Sequence, residues 1–138
     1  MNRKLSWPIF WALIGVFVVS GIVILVPAIR ELVVGLVFIV TAGAIFALLG
    51  VALIVFTLRE KVEGLLKKFL FLTGASSAGL LVSVLLHNAI YGLFIYFFGE
   101  DFWNGGDEPF FFIMAVIVCP IGFLVGAVGS IVLHYKKA

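Results

Sequence analysis

Four long apolar runs, at about 7–29, 32–58, 69–98 and 109–134, take up nearly the whole chain, and charged residues are confined to the short stretches between them and at the two ends. A helix of about 20 apolar residues crosses a hydrocarbon core of roughly 30 Å, so each run is long enough to span. The pattern predicts an all-α integral membrane protein: a single domain over 1–138, folded as a four-transmembrane-helix antiparallel bundle. No room is left for a soluble domain, so any activity must lie in the bundle, on its two faces or between copies of the chain.

At about 100° per residue, small residues in a membrane helix mark the face that meets a neighbour. In the fourth run Ala115, Cys119, Gly122, Gly126, Gly129 and Ser130 share one narrow stripe. Gly43, Ala47, Gly50 and Thr57 do the same in the second, and Ala75, Ser76, Gly79 and Ser83 in the third, where His87 continues the stripe. Close helix contacts are expected along all three, either inside the chain or with another copy. The first run, whose Gly15 and Gly21 do not align, reads as the most lipid-facing. Pro120 removes a backbone donor near the middle of the fourth run and predicts a bend there. Cys119 beside it reads as a small packing residue.

Composition sharpens this picture. With 64% hydrophobic and 12% charged residues the chain lies outside the soluble globular class. The first run is too long for a signal-peptide core, and no small-x-small cleavage site follows it before Arg30. The single cysteine rules out an internal disulfide and argues against thiol–disulfide exchange chemistry, which needs a pair.

Charge adds an orientation. Arg3, Lys4, Arg59, Lys61, Lys67, Lys68, Lys136 and Lys137 fall on one side of the four spans, and only Arg30 on the other. The positive-inside rule then makes both termini and the 59–68 connection cytoplasmic, in a multi-pass protein of the cell membrane with the 99–108 loop outside. Glu63 precedes Lys67 by four residues, a helical charge spacing, and Lys67 and Lys68 lie beside Leu65 and Leu66, which suits an interfacial helix touching anionic lipid, but a solvated turn that carries the topology signal explains the same connection. Glu31, Glu100, Asp101, Asp107 and Glu108 make the opposite face acidic.

The candidate chemistry sits at that face. From Phe69 to His87 is about 27 Å of helix at roughly 1.5 Å per residue, which puts His87 near the outer boundary rather than the midplane. Tyr91, Phe94, Tyr96, Phe97, Phe98 and Trp103 follow as an aromatic girdle. His87 and Asn88 point about 100° apart, so one helix face cannot bury both. With Ser83 they are the candidate ligand-binding or pore-lining residues. A Ser83–His87 dyad lacks an identifiable orienting group, and interhelical hydrogen bonding accounts for both residues. Glu100, Asp101, Asp107 and Glu108 suit a hard divalent cation, although Asp107 or Glu108 is equally suited to cap the fourth helix, with Pro109 in its first position. No other cofactor is expected. The letters GGDE at Gly105–Glu108 resemble the start of the GGDEF signature of diguanylate cyclases; that signature belongs to a large soluble domain, and four residues in a loop between spans imply nothing of the kind.

No Asp or Glu lies inside a span, and the loop charge is lopsided, so small dual-topology proton-coupled exporters are excluded. An H-E-x-x-H metalloprotease motif is absent. The expected function is a structural or accessory subunit of a homo-oligomeric or larger membrane assembly, in contact with lipid and not with nucleic acid. Two alternatives stand beside it: an oligomeric channel or small transporter with an acidic cation-attracting mouth, and an outer-leaflet lipid-, quinone- or metal-binding enzyme. The chain reads as a non-enzyme more readily than as an enzyme.

Overall fold

The computed structural model describes residues 4–137; Arg3, counted above among the cytoplasmic charges, lies outside them. Five helices form: α1 Ser6–Leu25, α2 Pro27–Val33, α3 Leu36–Arg59, α4 Gly64–Phe98 and α5 Pro109–Lys136. There is no strand among the described residues. All but the short α2 are long and apolar enough to cross a membrane.

The helix limits differ from the apolar runs, and local chemistry says why. The first run continues to 29, but α1 stops at Leu25 because Val26 is extended (φ −88°, ψ 110°). A residue before proline is pushed out of the α region, and Pro27 then opens α2 at a position where its missing N–H costs nothing. At the other connection the turn shrinks to 60–63, and Lys67 and Lys68 fall in the first turns of α4. The 35 residues of α4 measure about 52 Å, well beyond a hydrocarbon core of roughly 30 Å, so the helix projects past it, tilts, or both. Gly99 ends it at φ 93°, a value that favours glycine.

Pro120 disturbs α5 one turn earlier than its own position. Residues Met114–Val118 widen into a π-helical turn, and the Cys119 N–H bonds to the Met114 carbonyl, five residues back. A proline ring crowds the carbonyl four residues before it; the wider turn relieves that crowding and keeps the helix continuous.

α4 is the helix most in contact with others, packed against both α3 and α5. Thr73 and Ser76 face α5, while Gly74 and Ser77 face α3. A Cβ on Gly50 would sit 2.6 Å from the Gly74 carbonyl oxygen, and one on Gly74 would sit 2.7 Å from that of Gly50. The Ser77 hydroxyl donates to the Phe46 carbonyl across the same contact. Toward α5, a Cβ on Gly126 would meet Thr73 Oγ1 at 2.5 Å and the Thr73 nitrogen at 2.7 Å. One on Gly122 would meet Ser76 Oγ at 2.5 Å, and one on Gly129 the Phe69 ring. These small residues therefore serve contacts within the chain. Gly43 and Gly79 are less demanding, since a Cβ on either would make ordinary 3.5 Å contacts with Leu81 and Cys119. Ala75 is exposed, so the packing face of α4 is offset from the stripe that spacing alone suggests.

α1 is the most peripheral of the long helices, with 11% of its spanning window buried against 33% for α4. Phe10 and Leu13 enter a core with Phe46, Leu53, Leu70, Phe123 and Ala127. Phe17 stacks on Phe123 at 4.6 Å, and Phe123 lies 5.1 Å from Phe46, so large aromatics bridge α1 to α5. Thr57 and Ser130 bury hydroxyls that have no protein partner.

Gly50→Ala and Gly126→Ala are each expected to cost about 1–3 kcal/mol by overpacking, whereas Gly15→Ala, whose Cβ meets nothing within 4 Å, leaves stability unchanged. Ser130→Ala removes an unpartnered buried hydroxyl and is expected to be neutral or to stabilise by up to about 1 kcal/mol. Unfolding of the purified variants in mixed detergent micelles, followed by circular dichroism, measures all four.

Candidate functional site

His87 lies on α4, with its imidazole placed between two carboxylates at the start of α5. Its Nδ1 is 3.0 Å from Glu108 Oε2 and its Nε2 is 3.2 Å from Asp107 Oδ1. The His87 and Glu108 side chains are 16% and 5% exposed and that of Asp107 is 57% exposed, so one carboxylate is enclosed and the other faces out. The Nδ1–Glu108 contact has hydrogen-bond geometry, so the imidazole is clasped by a hydrogen bond on its enclosed edge and by a close contact with Asp107 on its open one.

Glu108 does a second job. Its Oε1 accepts from the Phe110 N–H at 2.7 Å and both its oxygens from the Phe111 N–H, which caps α5 with Pro109 as the first helical residue. Asp107 Oδ1 accepts from the Glu108 N–H at 2.9 Å. Burial works against ionisation of Glu108, but the hydrogen bond with His87 and those from the backbone of Phe111, Phe110 and Phe112 outweigh it and hold the carboxyl below its ordinary 4.5. Aromatic rings close the surroundings: Phe112 lies 5.8 Å and Tyr91 6.4 Å from the imidazole, and Trp103 stacks on Tyr91 while its indole N–H donates to the Tyr91 carbonyl.

The other sequence candidates go elsewhere. Asn88 is exposed, and its side-chain amide donates to the Val84 carbonyl of its own helix. Ser83 is buried on α4, and the contacts of His87 run to Asp107 and Glu108 instead. Glu100 and Asp101 are exposed on the loop. Asp107 and Glu108 flank the imidazole on opposite edges, so the three side chains share no point at which a cation would sit. No group of three or more His, Cys, Asp or Glu side chains among the described residues is arranged to hold a metal ion.

A second polar cluster, at the end that carries both termini, was not legible in the pattern of the chain. Glu60 accepts from the Leu5 N–H, from the Ser6 N–H at 2.9 Å and from the Ser6 hydroxyl, and so caps α1 from the far end of α3. Beside it Trp7 stacks on His134 with ring centroids 3.8 Å apart. Ser6 and Glu60 are 54 positions apart with α1, α2 and α3 between them, and no local spacing joins them; the only trace is that carboxylates stand among the basic residues of a connection. Compared with known protein families, curated proteins and solved structures, the chain matches none.

The folded Glu108 carboxyl titrates below its ordinary value, so it adds stability that is fully present above pH 4.5 and is lost as the pH falls below it. Thermal unfolding between about pH 3 and 6 is expected to show Tm falling in acid, with Glu108→Gln lower at pH 6 and flatter across the range. His87→Ala is expected to lower Tm more than Asp107→Asn, because the exposed Asp107 pair is the weaker of the two.

Proposed function

We propose that this chain is a multi-pass protein of the cell membrane, an antiparallel four-helix bundle with cytoplasmic termini and the 99–108 loop outside, acting as a structural or accessory subunit of a membrane assembly. The orientation follows from the eight basic residues that the spans gather to one side. In this orientation the His87 clasp lies at the outer boundary and ties the loop down to α4.

The observation that carries the assembly role is a lateral cleft of about 460 Å³ between α1 and α3, walled by Ala12, Gly15, Ser20, Thr41 and Ala42. In lipid, helices associate where small residues let backbones approach. The glycines of α5 are already engaged by α4, so the small-residue face left for a neighbouring subunit's transmembrane helix is the one that α1 and α3 share. The side surface around it is apolar, with Val18, Val19, Leu36, Val37 and Val40 exposed.

Gly15→Leu tests this reading, since the added side chain fills the cleft and a Cβ there meets no atom of the chain. Native mass spectrometry of protein extracted from its own membranes should find the wild type in species heavier than one 15.0 kDa chain, and the variant as single chains of unchanged helicity. A wild type found only as single chains would refute the assembly role.

A further inference from the structure

The end of the molecule that carries both termini contains a cleft of about 470 Å³ with a composition unlike that of the lateral one. Lys4, Lys61 and Lys137 line it, brought together from the start of α1, the 60–63 turn and the end of α5. Trp7, Val62, Leu66 and Leu70 give it an apolar wall, and Ser6 and His134 also line it. Trp7 is braced there by its stack on His134.

Two carboxylates also line the cleft, and they differ in availability. Glu60 is engaged by two backbone N–H groups and the Ser6 hydroxyl, so its charge is directed into the N-terminus of α1. Glu63 is exposed at the start of α4. The three lysines have no ion pair among the described residues, where the only pairs are those of His87. Flexible ammonium groups around an aromatic and aliphatic wall match a ligand that is anionic at one end and apolar at the other. A tryptophan at the end of a spanning helix sits at the depth where lipid headgroups meet acyl chains.

We propose that this cleft binds an anionic glycerophospholipid, with its phosphate among Lys4, Lys61 and Lys137 and the start of an acyl chain against Trp7, Leu66 and Leu70. A free phosphate would satisfy the lysines but would leave the apolar wall in water, which is why the lipid is favoured as the source of the anion. The site is independent of the assembly role: it lies at the opposite end of α1 from Ser20 and shares no residue with the α1–α3 cleft.

The test uses the full chain in a neutral detergent, titrated with phosphatidylglycerol, phosphatidylcholine or inorganic phosphate, with bound species counted by native mass spectrometry. Phosphatidylglycerol should bind about tenfold or more tightly than phosphatidylcholine, and K4Q/K61Q/K137Q should abolish that preference. The charge-matched variant K67Q/K68Q/K136Q, altered at the same end but outside the cleft, should keep it. Both variants are compared at wild-type helical content. Equal losses in the two variants would reduce the effect to diffuse surface charge and overturn the proposal. Indifference to headgroup would overturn it as well, and phosphate binding that depends on the cleft lysines without a phosphatidylglycerol preference would assign the cleft to a free anion instead.

Discussion

Where α4 meets α3 and α5 it does so backbone to backbone, and the remaining contacts are arranged around that closeness. Lipid offers helices no hydrophobic reason to associate, so van der Waals contact and interhelical hydrogen bonds must hold them together. Gly50 and Gly74 bring the carbonyls of α3 and α4 within reach of each other's Cα carbons, and Ser77 adds a hydrogen bond across the gap. Gly126 does the same against Thr73 on the opposite side. The close-packed unit is α3–α4–α5, and α1 joins it through bulk rather than closeness, as Phe10, Leu13 and Phe17 reach across to Phe46 and Phe123.

Two carboxylates stabilise the ends of this unit by the same physics. The first N–H groups of a helix have no partner within it and carry a partial positive charge. Glu108 satisfies such groups at the start of α5 and at the same time pairs with His87. Glu60 satisfies them at the start of α1, reaching from the end of α3. Each carboxylate thus fixes a helix start to a different helix, and each lies at an end of the molecule, where a charge costs less than it would inside the hydrocarbon. Inside the spans two hydroxyls turn to backbone carbonyls, that of Thr73 to Phe69 and that of Ser77 to Phe46.

The rise of α4 carries His87 level with the residues that open α5, within reach of Asp107 and Glu108. Glu108 caps α5 with Pro109 first in the helix, as the order of these residues along the chain suggests. Asp107 and Glu108, two of the four loop carboxylates suited by type to a hard cation, lie against the two edges of the imidazole. Asn88 is adjacent to His87 in sequence but takes no part in its contacts with Asp107 and Glu108. A helix separates neighbours by about 100°, and the Asn88 amide bonds to its own helix instead.

The number of helices long and apolar enough to span and the residues small enough for close contact were readable along the chain. Each depends on composition within one segment, measured against the thickness of the hydrocarbon or the turn of a helix. Which helix each glycine meets, that Glu60 caps α1, and that Lys4, Lys61 and Lys137 surround one cleft were decided by the tertiary structure alone. Those contacts join residues from different helices, and along any single helix an α-helical stripe has the same spacing whatever comes to lie against it.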